Sequence, residues 1–347
     1  MLMLALAVSL PCHAQSSVTL YGLLDNSLAY VSNVKGGRTF MQFAGDAQAD
    51  RWGLNGEEDI GGGTKTIFRI ESGFTMSNGA LGQGGLLFGR QAYVGLSNDR
   101  FGTLTLGRQY DFMLDYLCPM SAGCANASVY AFHPGDYDRV GGERVDNAVK
   151  YSSMQFGGLR FGALYGFGNQ PGSLSRNSTY SFGAGYQNGA FQVGAAFTQI
   201  RNATLSFDIG TPIFGSSLAG MTVDRTSTAG IGASYSVGAF DLRALGTFVE
   251  FVHAGETATL RTAESSLTWR VTPFLRVSSD YAYTTTSGAH WNQVGLMGNY
   301  FFSKRTDLYV HLITLRASSG AHAALFPLSP SSNDAQTLAS VGIRHKF

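Results

Sequence analysis

Apolar residues recur at every second position in runs of about ten along this chain, and after residue 14 no stretch sustains eighteen apolar residues. That period belongs to strands with two different faces, and membrane helices of about 20 apolar residues are excluded. Thr66, Phe68 and Ile70 alternate with Lys65, Ile67, Arg69 and Glu71. Phe191, Val193, Ala195 and Phe197 alternate with Gln192, Gly194, Ala196 and Thr198, and Leu308 to Leu315 repeats the pattern in a more apolar form. Composition narrows the choice. Charged residues are 14% of the chain, against about 25% in soluble domains, while 45 glycines and 12% aromatics are in excess. The hydrophobic content of 44% excludes a disordered chain, and a net charge of +1 gives no global attraction to nucleic acid.

The runs are divided by connections that alternate short and long. Gly61-Gly62-Gly63, Asn98 to Phe101, Gln155 to Gly158, Asn188-Gly189, Val271 to Pro273 and Ser303 to Thr306 are short. Long ones are expected near 33–48, 110–146, 169–177, 201–225, 253–257, 285–291 and 318–335. Sixteen strands result, near 18–32, 50–58, 64–77, 86–97, 102–109, 147–153, 159–168, 178–187, 191–200, 227–236, 240–252, 258–270, 275–284, 292–302, 307–317 and 336–347. An antiparallel sheet of that size must close on itself to remove its edges. In lipid only closure satisfies every backbone group, and the low charge favours lipid over water on one face. The expected fold is an all-β, 16-stranded antiparallel transmembrane β-barrel, wide enough for a water-filled channel. About 21 residues per strand and connection suits spans of about 9–11 residues.

The N-terminus sets the compartment. MLMLALAVSL followed by Pro11-Cys12-His13-Ala14 reads as the core and cleavage region of an export signal over 1–14, leaving 15–347 as the barrel. No Lys or Arg precedes Lys35, so the basic start of such a signal is missing and the leader reads as truncated or atypical. Cys12 would leave with it. Cys118 and Cys124 then remain, and in an exported chain they suggest a small disulfide loop, the alternative being two reduced thiols. Zinc is disfavoured, because there is no second cysteine pair and no histidine at ligand spacing.

SSVTLYGLLDNSLAY (16–30), RWGLNGEEDIGGGTKTIFRIESGF (51–74), GRQAYVGLSNDRFGTLTLGRQYD (89–111), DNAVKYSS (146–153) and SKRTDLYV (303–310) resemble the trimeric general porins of Gram-negative outer membranes, in their betaproteobacterial branch. The resemblance runs from about residue 16 to Phe347. It implies a homotrimer whose long third loop folds into the lumen, passive diffusion of small hydrophilic solutes and ions, and no cofactor, metal or catalytic residue. It implies as partners the outer-membrane lipid and lipopolysaccharide and the barrel assembly machinery, and no nucleic acid. The terminal Phe347 resembles the assembly signal of such barrels. Tyr300, Phe301, Phe302, Trp269 and Phe274 suit interfacial aromatic girdles.

The expected third loop, 110–146, carries Asp111, Asp115, Asp136, Asp138, Glu143 and the cysteine pair. By the same resemblance Arg51 and Arg90 match basic positions on the barrel wall, and Arg139 resembles a third. Arg69 shares a strand face with Lys65 and Glu71, and charge at membrane depth should face water. The expected constriction therefore sets Arg51, Arg69, Arg90 and Arg139 against Asp111, Asp115 and Asp136. Such opposed charges create a transverse field. Arg108 shares parity with Leu104, Leu106 and Tyr110 and should point out of the barrel. Facing lipid at mid-depth it would cost about 2–4 kcal/mol, which a trimer interface would relieve.

Other functions find less support. No GxSxG or HExxH occurs, the seven histidines are scattered, and no phosphate loop is present. Glu57-Glu58-Asp59 reads as a solvated turn, and Asp136 with Asp138 lacks a calcium-loop pattern. A solute-selective channel is one alternative. A barrel-scaffolded adhesin or surface-binding protein is the other, with loops near 201–225 and 318–335 expected to be exposed.

Overall fold

The computed structural model describes residues 16–347, so the leader lies outside the described residues. The strands are β1 (Ser16–Val34), β2 (Gly37–Ala44), β3 (Arg51–Gly61), β4 (Thr64–Gly73), β5 (Gln91–Asn98), β6 (Gly102–Tyr110), β7 (Arg144–Ser152), β8 (Leu159–Gly166) and β9 (Thr179–Asn188). They continue as β10 (Phe191–Thr204), β11 (Thr222–Val237), β12 (Phe240–His253), β13 (Glu256–Arg270), β14 (Leu275–Thr286), β15 (Ala289–Phe301), β16 (Thr306–Ala317) and β17 (Ala335–Lys346). Consecutive strands pair antiparallel from β3 onward, and β17 returns to β1, with Leu23 opposite Lys346 and Val31 opposite Leu338.

Seventeen segments make sixteen staves, because β2 and β3 share one. The upper half of β1 pairs with β2 (Asn26 opposite Ala44) and the lower half with β3 (Leu23 opposite Arg51). The stretch 33–48, expected as loop, therefore contains β2. Expected long connections at 253–257 and 285–291 are instead tight turns, Ala254-Gly255 and Ser287-Gly288, while 74–90 is a long connection the alternation did not reveal. Its glycines and leucines mimic strand ends.

The outward face is one that water would not tolerate. Leu28 is 68% exposed, Phe40 82% and Ile231 61%, and lipid-facing Leu96, Leu104, Leu106, Val310 and Leu312 continue the belt. Aromatics gather at the short-turn end, where Phe240 stacks on Trp269 (6.0 Å between centroids) and Tyr300 meets Phe302 edge-on (5.3 Å). Phe301 departs from the expected girdle, because alternation turns it inward beneath Arg276 (4.8 Å). Phe347 closes the seam. Its N–H donates to Gly22 O and its carbonyl accepts from Gly22 N–H, both 3.0 Å. A Cβ on Gly22 would lie 2.2 Å from the ring Cζ and 2.8 Å from the Arg51 carbonyl, so a larger residue there would displace the ring.

The third long connection (111–143) enters the barrel. It carries α1 (Phe112–Leu117), capped by Asp111, whose carboxylate accepts from Met113 N–H (3.1 Å), and α2 (Ala122–Ala125). Cys118 and Cys124 between them form a disulfide with Cα atoms 5.5 Å apart. Phe112, Met113 and Leu117 are fully buried against the inner wall of β8 to β11, each contributing about 1.5–3 kcal/mol. Inward glycines make the approach possible: a Cβ on Gly183 would lie 2.5 Å from the Tyr116 ring, and one on Gly194 2.4 Å from the Tyr116 carbonyl.

At the long-loop end the lumen holds an apolar core. The connection 205–221 buries Leu205, Ile209, Ile213 and Leu218, and 318–334 buries Ala323 and Leu325 against Trp291, Ile313, Leu315 and Leu338. His322 N–H donates to Gly210 O (2.7 Å), joining the two. The expectation that these loops are exposed holds for Gly215 to Ser217 and Ser332 to Asp334, and is corrected for their Leu and Ile residues, which fold into the lumen. Their scattered Leu and Ile residues lack a strand period but match the apolar inner ends of β15 to β17.

Candidate functional site

Between the in-folded connection and the opposite wall lies a cavity of about 580 Å³. Arg51 opens β3, Arg90 immediately precedes β5, Arg144 opens β7, Arg276 lies on β14, and Arg344 and Lys346 end β17; all six line the cavity. The acids lining it are Asp136 and Glu143. Residues distant in sequence and drawn from several strands thus share one cavity.

Tyr110 organises two of these cations. Its hydroxyl accepts from Arg90 Nη2 (2.8 Å) and Arg144 Nη2 (2.9 Å), and the Arg144 guanidinium lies 4.8 Å over its ring. Arg90 Nε also donates to Glu71 Oε1 (2.7 Å), and Tyr21 donates to Glu71 Oε2 (2.9 Å). Arg344 binds Asp307 in two-pronged fashion, at 3.0 and 3.1 Å. Arg51, Arg276 and Lys346 make no ion pair among the described residues. Their charge is therefore left for whatever enters the cavity.

The expected acids are largely neutralised. Asp111 pairs with Arg139 (Nε to Oδ2, 2.5 Å), and Asp115 with Lys150 of β7 (2.6 Å). Arg139 is thus on the in-folded connection itself, a correction to the expectation of a wall arginine: DRVGG (138–142) lies within the loop, where resemblance carries little positional information. Asp136 lines the cavity, accepts from Gly141 N–H (3.0 Å), and is raised well above the carboxylate range by burial and by Asp138. Arg69 faces inward, 5.7 Å over the Tyr21 ring, outside the cavity lining.

A buried imidazole fastens the connection to the wall. His133 Nδ1 meets Asp138 Oδ2 (2.5 Å), and its Nε2 meets Glu264 Oε2 on β13 (2.8 Å). Burial alone would lower the imidazole, but the two carboxylates raise it well above its usual value. Glu264 also accepts from Ser121 Oγ (3.2 Å) and from Ala122 N–H. No group of three or more His, Cys, Asp or Glu among the described residues is arranged to hold a metal.

Arg108 points outward as expected but is satisfied within the chain. It donates to Gly89 O (2.7 Å) and pairs with Asp146. A bulge between Gly107 and Gln109 admits Asp146 opposite it. The pair lessens the cost of an outward guanidinium without abolishing it, because the Asp146 carboxylate is itself exposed on that face. Tyr110, expected to share its outward parity, turns inward where the chain leaves the wall. Arg144, Arg276, Arg344, Lys346, Lys150 and His133 were not singled out in the sequence. The inward-parity glycines of Gly183, Gly185, Gly194, Gly230 and Gly232 were the available signal for where the connection rests, and hence which wall stays open.

Comparison with known proteins follows the same lines. The family model described as Gram-negative porin matches residues 2–319. An outer membrane porin protein of Bordetella pertussis is 32% identical over 215 residues, 54% of this chain and 55% of that one. Outer membrane porin protein 32 of Delftia acidovorans is 28% identical over 63% of this chain and 60% of its own length. The chain therefore spans little more than half of these two relatives. The major outer membrane protein P.IB of Neisseria gonorrhoeae is 25% identical, with 98% and 97% covered. Among solved structures, an anion-selective porin from Comamonas acidovorans superposes with a TM-score of 0.82 at 24% identity, covering 96% and 100%. The trimer form of an outer membrane protein of Vibrio cholerae gives 0.71 at 15% identity, covering 96% and 99%. These likenesses share the fold.

Proposed function

The chain belongs to the Gram-negative porin family and is an integral barrel of the outer membrane, and on that premise we propose that it is a passive diffusion channel with a preference for anions. The observation that carries the preference is the cavity lining: Arg90 and Arg344 are balanced by Glu71 and Asp307, but Arg51, Arg144, Arg276 and Lys346 have no ion-pair partner among the described residues and stand against Asp136 and Glu143. A sequence count could not decide it, because five acids occur in the in-folded connection. The pairing of Asp111 with Arg139 and of Asp115 with Lys150 withdraws two of them from the field. Fixed guanidinium groups in a narrow, low-dielectric passage concentrate small anions and repel cations.

No bond is made or broken in this reading. A hydrated anion exchanges water for successive guanidinium donors, and the spacing of several weak sites lets it leave as readily as it enters. The Comamonas porin's selectivity points the same way. Self-association as a homotrimer, contact with lipopolysaccharide and delivery by the barrel assembly machinery through Phe347 belong to the same proposal. Planar-bilayer recording of the refolded chain in a salt gradient tests it. Stable openings closing in three steps, with a reversal potential of anionic sign, are expected. A correctly folded barrel without conductance would sink the channel reading and favour a surface-binding scaffold.

A further inference from the structure

The interruption between β2 and β3 is a built feature. At Gly45 the chain turns with φ of 81°, and a Cβ there would meet Ala49 Cα at 2.8 Å. Residues 45–50 then leave the wall and return at Arg51. Three buried carboxylates hold them. Asp25 accepts from Ala47 N–H (3.4 Å), Gln48 N–H (3.1 Å) and the Tyr309 hydroxyl (2.6 Å). Asp50 accepts from Asp25 N–H (2.6 Å) and Met76 N–H (3.2 Å). Asp46 meets His311 Nδ1 (2.9 Å), and its carbonyl accepts from Val129 N–H of the in-folded connection (2.7 Å).

The other side of this segment faces the cavity, which Ala47, Gln48 and Ala49 line. Arg51 Nε donates to Ala49 O (2.9 Å), and Arg344 Nη1 approaches Gln48 Oε1 (3.5 Å). A segment fixed on one side and uncharged at its tip thus touches two arginines of the constriction. We propose that Gly45–Asp50 is a second pore-narrowing element, acting with the in-folded connection, and that Asp25 is the residue that positions it. Its uncharged tip sets the width beside Arg51 and Arg344 while leaving their field intact. The inference rests on the channel reading.

Ala49→Cys tests it, because Cys118 and Cys124 are bridged and Ala49 is exposed within the lumen. Modification with a sulfonate-bearing and with a trimethylammonium-bearing methanethiosulfonate should lower single-channel conductance about twofold in each case. The two labels, differing by two charges, should separate the anion-to-cation permeability ratio about sixteenfold at about 10 Å from the ion path. Asp25→Asn, which weakens the hold on Ala47 and Gln48, should raise conductance and open-channel noise in a chain that still folds. Complete labelling by mass with unchanged conductance and permeability ratio would overturn the narrowing role; unchanged current in folded Asp25→Asn would overturn the positioning role. Failure of the channel reading shows separately, as absence of current through the unlabelled native chain.

Discussion

Asp111 and Arg139, 28 residues apart, meet inside one connection, Nε to Oδ2 at 2.5 Å, with the carboxylate fully buried. Asp111 also caps α1, so one side chain starts the helix and neutralises the loop. Asp111→Ala should therefore destabilise the in-folded connection by about 3–5 kcal/mol, because a buried guanidinium is left unpaired. Denaturant unfolding should show the loss, and Asp111→Asn with Arg139→Gln should recover part of it. Equal stability of the single and double variants would contradict the pairing.

The free cations give a second expectation. Arg276 has a ring beneath it and no carboxylate partner among the described residues, so Arg276→Gln removes charge without stranding an acid. At about 10 Å in water a unit charge is worth about 0.4 kcal/mol, of opposite sign for anion and cation, hence roughly fourfold in permeability ratio. The reversal potential should move towards cations by that factor, and Arg51→Gln should add to it. Arg344→Gln would differ, since Asp307 is buried and loses its partner; a loss of stability should accompany the shift. Reversal potentials that ignore Arg276 would remove it from the ion path.

How much of this was legible follows the length scale of each signal. Strand positions were readable because alternation between lipid and lumen is local, and Lys65, Arg69 and Glu71 carry it plainly. The break at Gly45 was not readable, because it depends on Asp25 and Tyr309 reaching across the sheet. Arg51 and Arg90 were found through their surrounding sequence. Arg276 and Arg344 were not, because what makes them part of the site is strand stagger, which places the end of β17 beside the start of β3. Loop pairing was the least legible: an acid count over 110–146 says nothing of Asp115 meeting Lys150.

The disulfide offers a third expectation. Cys118 and Cys124 close a short ring, and such a crosslink is worth about 2 kcal/mol. Since it joins the segment between α1 and α2 that lines the cavity, Cys118→Ser with Cys124→Ser should leave the barrel folded and increase open-channel noise. Adding reductant to the native chain should reproduce the effect. Quiet channels in both cases would confine the bond to folding or secretion.

His133 gives a pH dependence with a definite sign. Burial opposes its charge, but Asp138 and Glu264 on its two ring nitrogens raise it well above the ordinary value. The unfolded chain titrates near 6.5, below the folded group, so the folded state binds the extra proton between the two values. The stabilisation is therefore complete below about pH 6.5 and is lost as pH rises through the raised value. What is lost is the tie between the in-folded connection and β13, beside which Asp280 of β14 has both carboxylate oxygens unpartnered. Alkaline conditions should thus increase conductance fluctuations before the barrel itself unfolds. His133→Gln, which keeps hydrogen-bonding capacity but cannot hold the charge, should show raised noise already at pH 6 and little change with further alkali. Identical pH profiles for the variant and the native chain would show that this imidazole does not control the connection.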